Sequence, residues 1–235
     1  MSILCALVHV LGIACFGVAI FYNTFLIRLS EEEKVFPWRW LYLTIWDIVI
    51  QFIYHTVGLL NDIFGSNNII SGSLERPFLQ RFRDYLFISL AFPIGTFVTA
   101  TFWGLVALDP SLVFDVEKEQ VSEWINHIEH TGPGVILLLE LLIVPKLPPR
   151  HLIGICTNVT FCVSYLIWIN WIHSLNGTWA YPMLRKWDSA ERFAFLGASC
   201  LIIIVFYGVG VLLTGLRLVW KPKPRSGADI GLLVV

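Results

Sequence analysis

The feature that most constrains this sequence is a series of long apolar runs, the first of which begins at the N-terminus. Residues 3–27 contain no Asp, Glu, Lys or Arg. A helix of about 20 apolar residues is long enough to cross the hydrocarbon core of a bilayer. Because backbone polar groups in lipid must be hydrogen-bonded within the segment, such runs are expected to be helical. The chain is therefore predicted to be an integral membrane protein.

Composition supports the same class. Hydrophobic residues make up 57% of the chain and charged residues 14%, whereas a soluble domain is about one quarter charged. A net charge of −1 provides no basic field that would attract nucleic acid. The five cysteines lie in apolar runs without a CxxC pair, so they are interpreted as buried apolar side chains and not as a disulfide framework.

Six segments are long enough to cross a membrane. The predicted fold is an all-α integral membrane protein, a bundle of six transmembrane helices forming one domain over 1–220, with a short cytoplasmic tail at 221–235. The expected spans are 3–27, 40–63, 85–108, 121–143, 152–174 and 192–218. The first run exceeds the apolar core of a signal peptide and is interpreted as a retained helix.

The distribution of Lys and Arg predicts the orientation. One side of the bundle carries nine of these residues and the other seven, which favours both termini in the cytoplasm. The sequon Asn176-Gly177-Thr178 then lies on the outer or lumenal side, close to the membrane. The expected location is the plasma membrane or the endoplasmic reticulum.

Two of the predicted spans carry polar side chains at helical spacing. In span 2 these positions are Thr44, Asp47, Gln51, His55, Gly58 and Asp62. In span 4 they are Glu123, His127, His130 and Gly134. Spacings of three and four place each set on one helix face. Polar groups in hydrocarbon either hold helices together by hydrogen bonds or mark a functional site.

The depth of these residues brings two of the faces together. Thr44 follows Trp40 by four residues, roughly 6 Å deeper, and His130 follows Trp124 by six, roughly 9 Å deeper. Trp side chains favour the membrane interface, and spans 2 and 4 enter from the same side. One layer near the non-cytoplasmic face is therefore expected to contain Thr44, Asp47, His127, His130 and His173.

Three functions fit such a layer. A Thr44 hydroxyl activated by a neutral His130 imidazole, with Asp47 orienting the ring, would form a cofactor-free acyl-transfer site for an ester dissolved in the bilayer. Alternatively, His127, His130 and His173 would bind a metal ion for a lipid hydrolase, with Asp47 or a water as the fourth ligand. The third hypothesis is a non-catalytic membrane regulator in which the polar faces line a lipid-binding cavity.

Four segments resemble the androgen-induced protein family. They are LTIWDIVIQ at 43–51, LAFPIGTFVTATFW at 90–103, WINHIEHT at 124–131 and WIHSLNGTWAYP at 171–182. The resemblance covers nearly all of the chain, although the tail after Trp220 diverges. It implies a membrane threonine hydrolase of fatty acid esters of hydroxy fatty acids. On the matching motifs, Thr44 of L-T-x-x-D is the nucleophile and His130 of W-x-N-H-x-x-H-T is the other required residue.

Overall fold

The computed structural model describes residues 3–26, 38–67, 76–114, 122–177 and 179–220, and within these ranges it contains helices and turns but no strand. The helices are α1 Ile3–Phe21, α2 Leu43–Phe64, α3 Phe78–Leu86, α4 Phe92–Leu108, α5 Glu123–His130, α6 Gly132–Ile143, α7 His151–Asn176, α8 Pro182–Lys186 and α9 Ser189–Trp220. A π-helical turn extends α1 to Leu26, and a second one at Phe87–Ala91 joins α3 to α4. The predicted tail at 221–235 and Thr178 of the sequon lie outside the described residues.

Five helical segments are long and apolar enough to cross a membrane. They are Ile3–Leu26, Leu43–Phe64, Phe78–Leu108, His151–Asn176 and Ser189–Arg217. These segments correspond to five of the six predicted spans, so the prediction of a membrane protein with several apolar helices is confirmed. The third segment begins earlier than the predicted residue 85 because α3 buries its polar side chains. Arg83 Nη2 lies 2.6 Å from Asp84 Oδ1 in an ion pair that is almost completely buried.

The predicted span at 121–143 is built differently from the others. It contains two helices, α5 and α6, which meet at Thr131. Pro133 in the first turn of α6 has no N–H to donate to the preceding turn, which explains the break. With 12 residues, α6 is about 18 Å long and too short to cross a bilayer alone. The six-span count and the orientation of the termini remain predictions.

The centre of the bundle is formed by α2 and by the segment from α3 to α4. Ile48 and Tyr54 of α2, and Ile88 and Ile94 of the neighbouring segment, are completely buried. By contrast, α1, α7 and α9 present large apolar side chains outward. In a membrane protein such a surface is the one that faces lipid.

Aromatic side chains from α7 and the following loop fix the beginning of α2. The Tyr165 hydroxyl donates to the Leu41 carbonyl at 2.9 Å, and the Trp168 indole donates to the Trp40 carbonyl at 2.8 Å. The Leu43 amide donates to the Tyr181 hydroxyl at 3.1 Å. These bonds hold the first turn of α2, which contains Thr44, against the C-terminal half of α7.

Candidate active site

Thr44 and His130 come into direct contact. Thr44 Oγ1 lies 3.2 Å from His130 Nε2, although the two residues are 86 positions apart in the chain. Thr44 belongs to the first turn of α2 and is buried, whereas His130 ends α5 and is half-buried. The break between α5 and α6 lies directly after His130. The two residues that the sequence predicted at one level of the bilayer are therefore within hydrogen-bond distance.

The orientation of the His130 ring is set by its own helix and by α4. Nδ1 lies 3.0 Å from the Asn126 carbonyl oxygen, and the ring stacks on Phe102 with centroids 3.6 Å apart and planes at 14°. A carbonyl oxygen only accepts hydrogen bonds, so we assign the proton to Nδ1. The lone pair of Nε2 then faces the Thr44 hydroxyl, which is the tautomer that a general base requires.

Asp47 does not orient His130, contrary to the sequence-based expectation. Its Oδ1 accepts a hydrogen bond from Gln51 Nε2 at 2.8 Å, and the same amide donates to the Ala91 carbonyl at 2.8 Å. Asp47 is completely buried, and its Oδ2 has no hydrogen-bond partner among the described residues. The difference arises because the Asn126 carbonyl already occupies the imidazole nitrogen that Asp47 was expected to bind.

His127 borders the site without bonding to Thr44. It is exposed, and its Nδ1 lies 3.1 Å from Thr131 Oγ1. Its ring stacks on Trp103 with centroids 5.4 Å apart, and Trp103 Nε1 donates to Thr131 Oγ1 at 3.1 Å. His127 therefore belongs to a small network at the turn between α5 and α6.

His173 lies against the loop that follows α7. Its ring stacks on Trp179 with centroids 4.0 Å apart. Its Nδ1 is buried and has no hydrogen-bond partner among the described residues. No hydrogen bond joins it to Thr44 or to His130.

The predicted metal-binding set of His127, His130 and His173 is wrong. Each of these rings stacks on a different aromatic side chain, and their nitrogens do not converge. Among the described residues, the three side chains within ligand distance of one another are His9, His55 and Glu140. Two of the three predicted histidines are i and i+3 on one helix, about 60° apart, and each has its own partner.

Tyr181 is a site residue that the sequence analysis did not identify. Its hydroxyl accepts the Leu43 N–H and is also hydrogen-bonded to the Tyr165 hydroxyl and to the Thr44 side chain. Burial raises the pKa of the Tyr181 hydroxyl, so it stays protonated at neutral pH. Tyr181 lies in WIHSLNGTWAYP, one of the four segments that resemble the family, but outside every predicted span. Its position in a loop kept it out of the expected polar layer.

The local backbone adds to the polarity of the site. Thr44 lies in the first turn of α2, where the leading N–H groups of a helix have no intrahelical acceptor. The positive end of the helix dipole therefore points toward the Thr44 oxygen. Together with the Tyr181 hydroxyl, this environment favours negative charge at and beside Thr44 Oγ1.

Comparison with known proteins agrees with the motifs. The family model described as FAR-17a/AIG1-like protein matches residues 4–215. The human androgen-induced gene 1 protein is 30% identical over 187 residues, which are 77% of this chain and 79% of that protein. The human androgen-dependent TFPI-regulating protein is 32% identical over 173 residues, 73% and 74% of the two chains. A membrane protein of Schizosaccharomyces pombe is 26% identical over 189 residues, 79% of each chain. No solved structure matches this chain.

Proposed function

The chain belongs to the FAR-17a/AIG1-like family, and we propose that it is an intramembrane hydrolase of carboxylic esters. Its substrates are fatty acid esters of hydroxy fatty acids, the class implied by the motif resemblance. Thr44 is the nucleophile and His130 is the general base. The observation that carries this proposal is the 3.2 Å contact between Thr44 Oγ1 and His130 Nε2.

The reaction proceeds through an acyl-enzyme. His130 Nε2 takes the proton of the Thr44 hydroxyl while the oxygen attacks the ester carbonyl. The resulting imidazolium returns the proton to the leaving alkoxide, which departs as the hydroxy fatty acid. Water activated by the same imidazole then hydrolyses the acyl-Thr44 ester and releases the fatty acid.

The tetrahedral intermediate carries a negative oxygen that needs hydrogen-bond donors. Burial keeps the Tyr181 hydroxyl protonated beside Thr44, so this hydroxyl has a proton to donate. The first turn of α2 supplies the positive end of a helix dipole. Donors that are fixed before the reaction stabilise such charge without reorganisation. Tyr181 is therefore proposed to act on the oxyanion.

The substrate reaches the site from the membrane. The apolar surface of the bundle faces lipid, and the exposed Trp40 and Trp124 lie on the two helical segments that lead to the site. We propose that α5 and α6 together form one further crossing, the fourth in chain order, because about 20 residues of helix span roughly 30 Å. In this topology the site lies near the non-cytoplasmic face, at the depth of an ester linkage. Membrane lipids and the lipid ester are the proposed partners.

The proposal is tested by hydrolysis of a branched ester of a hydroxy fatty acid by the purified full-length protein. Thr44→Ala and His130→Ala should each reduce turnover by at least about 10²-fold, and the double variant should be no worse, because both residues act in one step. Thr56→Ala is the matched control on the same helix, since the Thr56 hydroxyl donates to the Phe52 carbonyl at 2.8 Å. Near-normal turnover by well-expressed Thr44→Ala would show that the nucleophile lies elsewhere.

A further inference from the structure

A second buried polar cluster lies deeper in the bundle, at His9 of α1, His55 of α2 and Glu140 of α6. His55 is 11 residues from Thr44, about 16 Å along α2. All three side chains are completely buried, and one ligand atom from each lies within 4.8 Å of the other two. We infer that this cluster is a binding site for a divalent transition-metal ion, and that Zn²⁺ is the ion it takes.

Two of the three separations between ligand atoms are close to those of tetrahedral coordination. His9 Nδ1 lies 3.2 Å from His55 Nδ1 and 3.7 Å from Glu140 Oε2. Two ligands that are each about 2.0–2.1 Å from a tetrahedral zinc ion are roughly 3.3–3.4 Å apart. Shifts of a few tenths of an ångström in these two pairs bring the atoms to this separation.

The hydrogen bonding of the cluster is incomplete without a cation. If the two Nδ1 atoms bond to each other, one ring donates and the other accepts. Both Nε2 atoms are then left buried without a partner, as is Glu140 Oε2. Buried polar atoms of this kind are destabilising. A metal ion accepts electron pairs from both Nδ1 atoms and from Oε2, and each neutral ring then carries its proton on Nε2.

Neighbouring side chains orient two of the ligands. His9 Nε2 lies 3.7 Å from Asp62 Oδ2, so a protonated Nε2 faces the carboxylate that commonly supports a metal-bound histidine. On the other ligand, Glu140 Oε1 accepts hydrogen bonds from Lys146 Nζ at 2.7 Å and from the Tyr54 hydroxyl. Because both donors bind Oε1, the remaining oxygen is turned toward the histidines.

Two glycines make room for the imidazole rings between α1 and α2. A Cβ at Gly12 would lie 2.3 Å from the His55 ring, and a Cβ at Gly58 would lie 2.2 Å from the His9 ring. Each ring therefore fills the space that a side chain on the opposite helix would need. The two rings are locked in place before any ion binds, as a preformed site requires.

The charges around the cluster leave room for a cation. Lys146 pairs with Glu140, and Arg83 pairs with Asp84. The Asp62 carboxylate has only an Asn67 amide as donor, at 2.5 Å, and its Oδ2 has no hydrogen-bond partner among the described residues. Within the described ranges, the cluster therefore holds one carboxylate that no Lys or Arg side chain neutralises. Lys146 binds the oxygen of Glu140 that is turned away from the proposed ion.

The ligand set identifies the class of ion. Two imidazoles and one carboxylate, without a thiolate, suit Zn²⁺ and neighbouring divalent ions more than Cu(I) or Ca²⁺. Three protein ligands leave the fourth position to a water. The ion lies well away from Thr44 and His130 and is not part of the hydrolysis proposed above, which needs no cofactor.

The test is the metal content of the full-length protein purified from zinc-supplemented cells, measured by elemental mass spectrometry. We expect about one zinc ion per chain, falling at least tenfold in His55→Gln and in Glu140→Gln. The matched controls His127→Gln and His173→Gln should keep the metal. Less than a tenth of a zinc ion per wild-type chain would overturn the inference. Undiminished zinc in the His55 and Glu140 variants would overturn it as well.

A second measurement on the wild-type chain covers the case in which the variants fail to fold. Protein loaded with Co²⁺ should show the visible bands of a tetrahedral ion without a thiolate charge-transfer band. X-ray absorption should give nitrogen and oxygen ligands at about 2.0–2.1 Å. Failure of Co²⁺ or Zn²⁺ to bind the intact chain would also overturn the inference. Thr44→Ala should keep the metal and lose hydrolysis, so the two proposals fail separately.

Discussion

At the scale of single residues, the candidate active site depends on how His130 is held. The Asn126 carbonyl fixes its protonated nitrogen, and Phe102 covers one face of the ring. Neither contact involves a carboxylate. The arrangement thus differs from a Ser-His-Asp triad, in which an acidic side chain holds the imidazole.

Asp47→Asn is therefore expected to leave hydrolysis close to the wild-type rate. The substitution keeps an oxygen that can accept from Gln51 Nε2 at the position occupied by Asp47 Oδ1. Steady-state kinetics of the purified variant should show kcat within about threefold of wild type, since no transition-state contact is lost. A loss of 10²-fold or more in a well-folded variant would restore Asp47 as the group that orients the base.

Tyr181→Phe is expected to reduce turnover without preventing folding. Removing one oxyanion donor typically costs about 10²–10³ in kcat. Tyr165→Phe is the comparison, because its hydroxyl anchors the same turn through the Leu41 carbonyl and bonds to Tyr181, whereas the bond to the Thr44 side chain belongs to Tyr181. The prediction requires that kcat falls in Tyr181→Phe much more than in Tyr165→Phe. Equal effects in both variants would reduce Tyr181 to an anchor of α2.

The central pair, Thr44 and His130, could be predicted from the sequence, whereas the residues that surround this pair could not. Thr44 and His130 lie on polar helix faces at similar depths, and both facts can be read from local spacing. Asp47 bonds to Gln51, one turn along the same predicted face. The Ala91 carbonyl that holds Gln51 comes from another segment, so it could not be predicted. His9 stands alone in span 1, so its meeting with His55 and Glu140 depends on the packing of three helices.

At the scale of helices, the break between α5 and α6 positions His130. The Gly134 amide, which lies just after Pro133, donates to Thr99 Oγ1 of α4 at 3.1 Å. The break is thus stabilised by a hydroxyl group from a neighbouring helix. A proline within a predicted span signals a kink or an end, but the compensating group on α4 cannot be read from the sequence.

Thr99→Val should lower both stability and turnover. The valine keeps the volume but leaves the Gly134 amide without its acceptor, which is expected to cost about 1–3 kcal/mol. Thermal unfolding in detergent and the hydrolysis assay measure the two effects. Thr56→Val is the control, since its hydroxyl bonds only within its own helix turn. Equal unfolding temperatures for the two variants would contradict this account of the break.

At the scale of the whole molecule, five helical segments that are long and apolar enough to cross a membrane could be predicted from length and hydropathy alone. These properties are local, which is why the segments could be predicted from the sequence. The predicted span at 121–143 contains the break and is polar in its first half, so local hydropathy describes it poorly. The overall topology rests on α5 and α6 acting as one crossing.

The proposed topology predicts that both termini are cytoplasmic. Epitope tags at each end should be protected from protease added outside intact cells and cleaved after permeabilisation. An even number of crossings puts both termini on the same side, and the excess of Lys and Arg favours the cytoplasm as that side. Cleavage of one tag only would remove α5–α6 as a crossing. Cleavage of both would invert the orientation and leave the Thr44–His130 pair at one level.

The most direct test of the central claim is covalent labelling of Thr44 by a fluorophosphonate, mapped by peptide mass spectrometry on the full-length protein. An unassisted threonine hydroxyl is barely reactive, so labelling requires the neighbouring base. The account predicts a label at Thr44 that disappears in Thr44→Ala, falls at least tenfold in His130→Ala and persists in Thr56→Ala. Hydrolytically active wild-type protein with no label at Thr44, or undiminished labelling in His130→Ala, would contradict it.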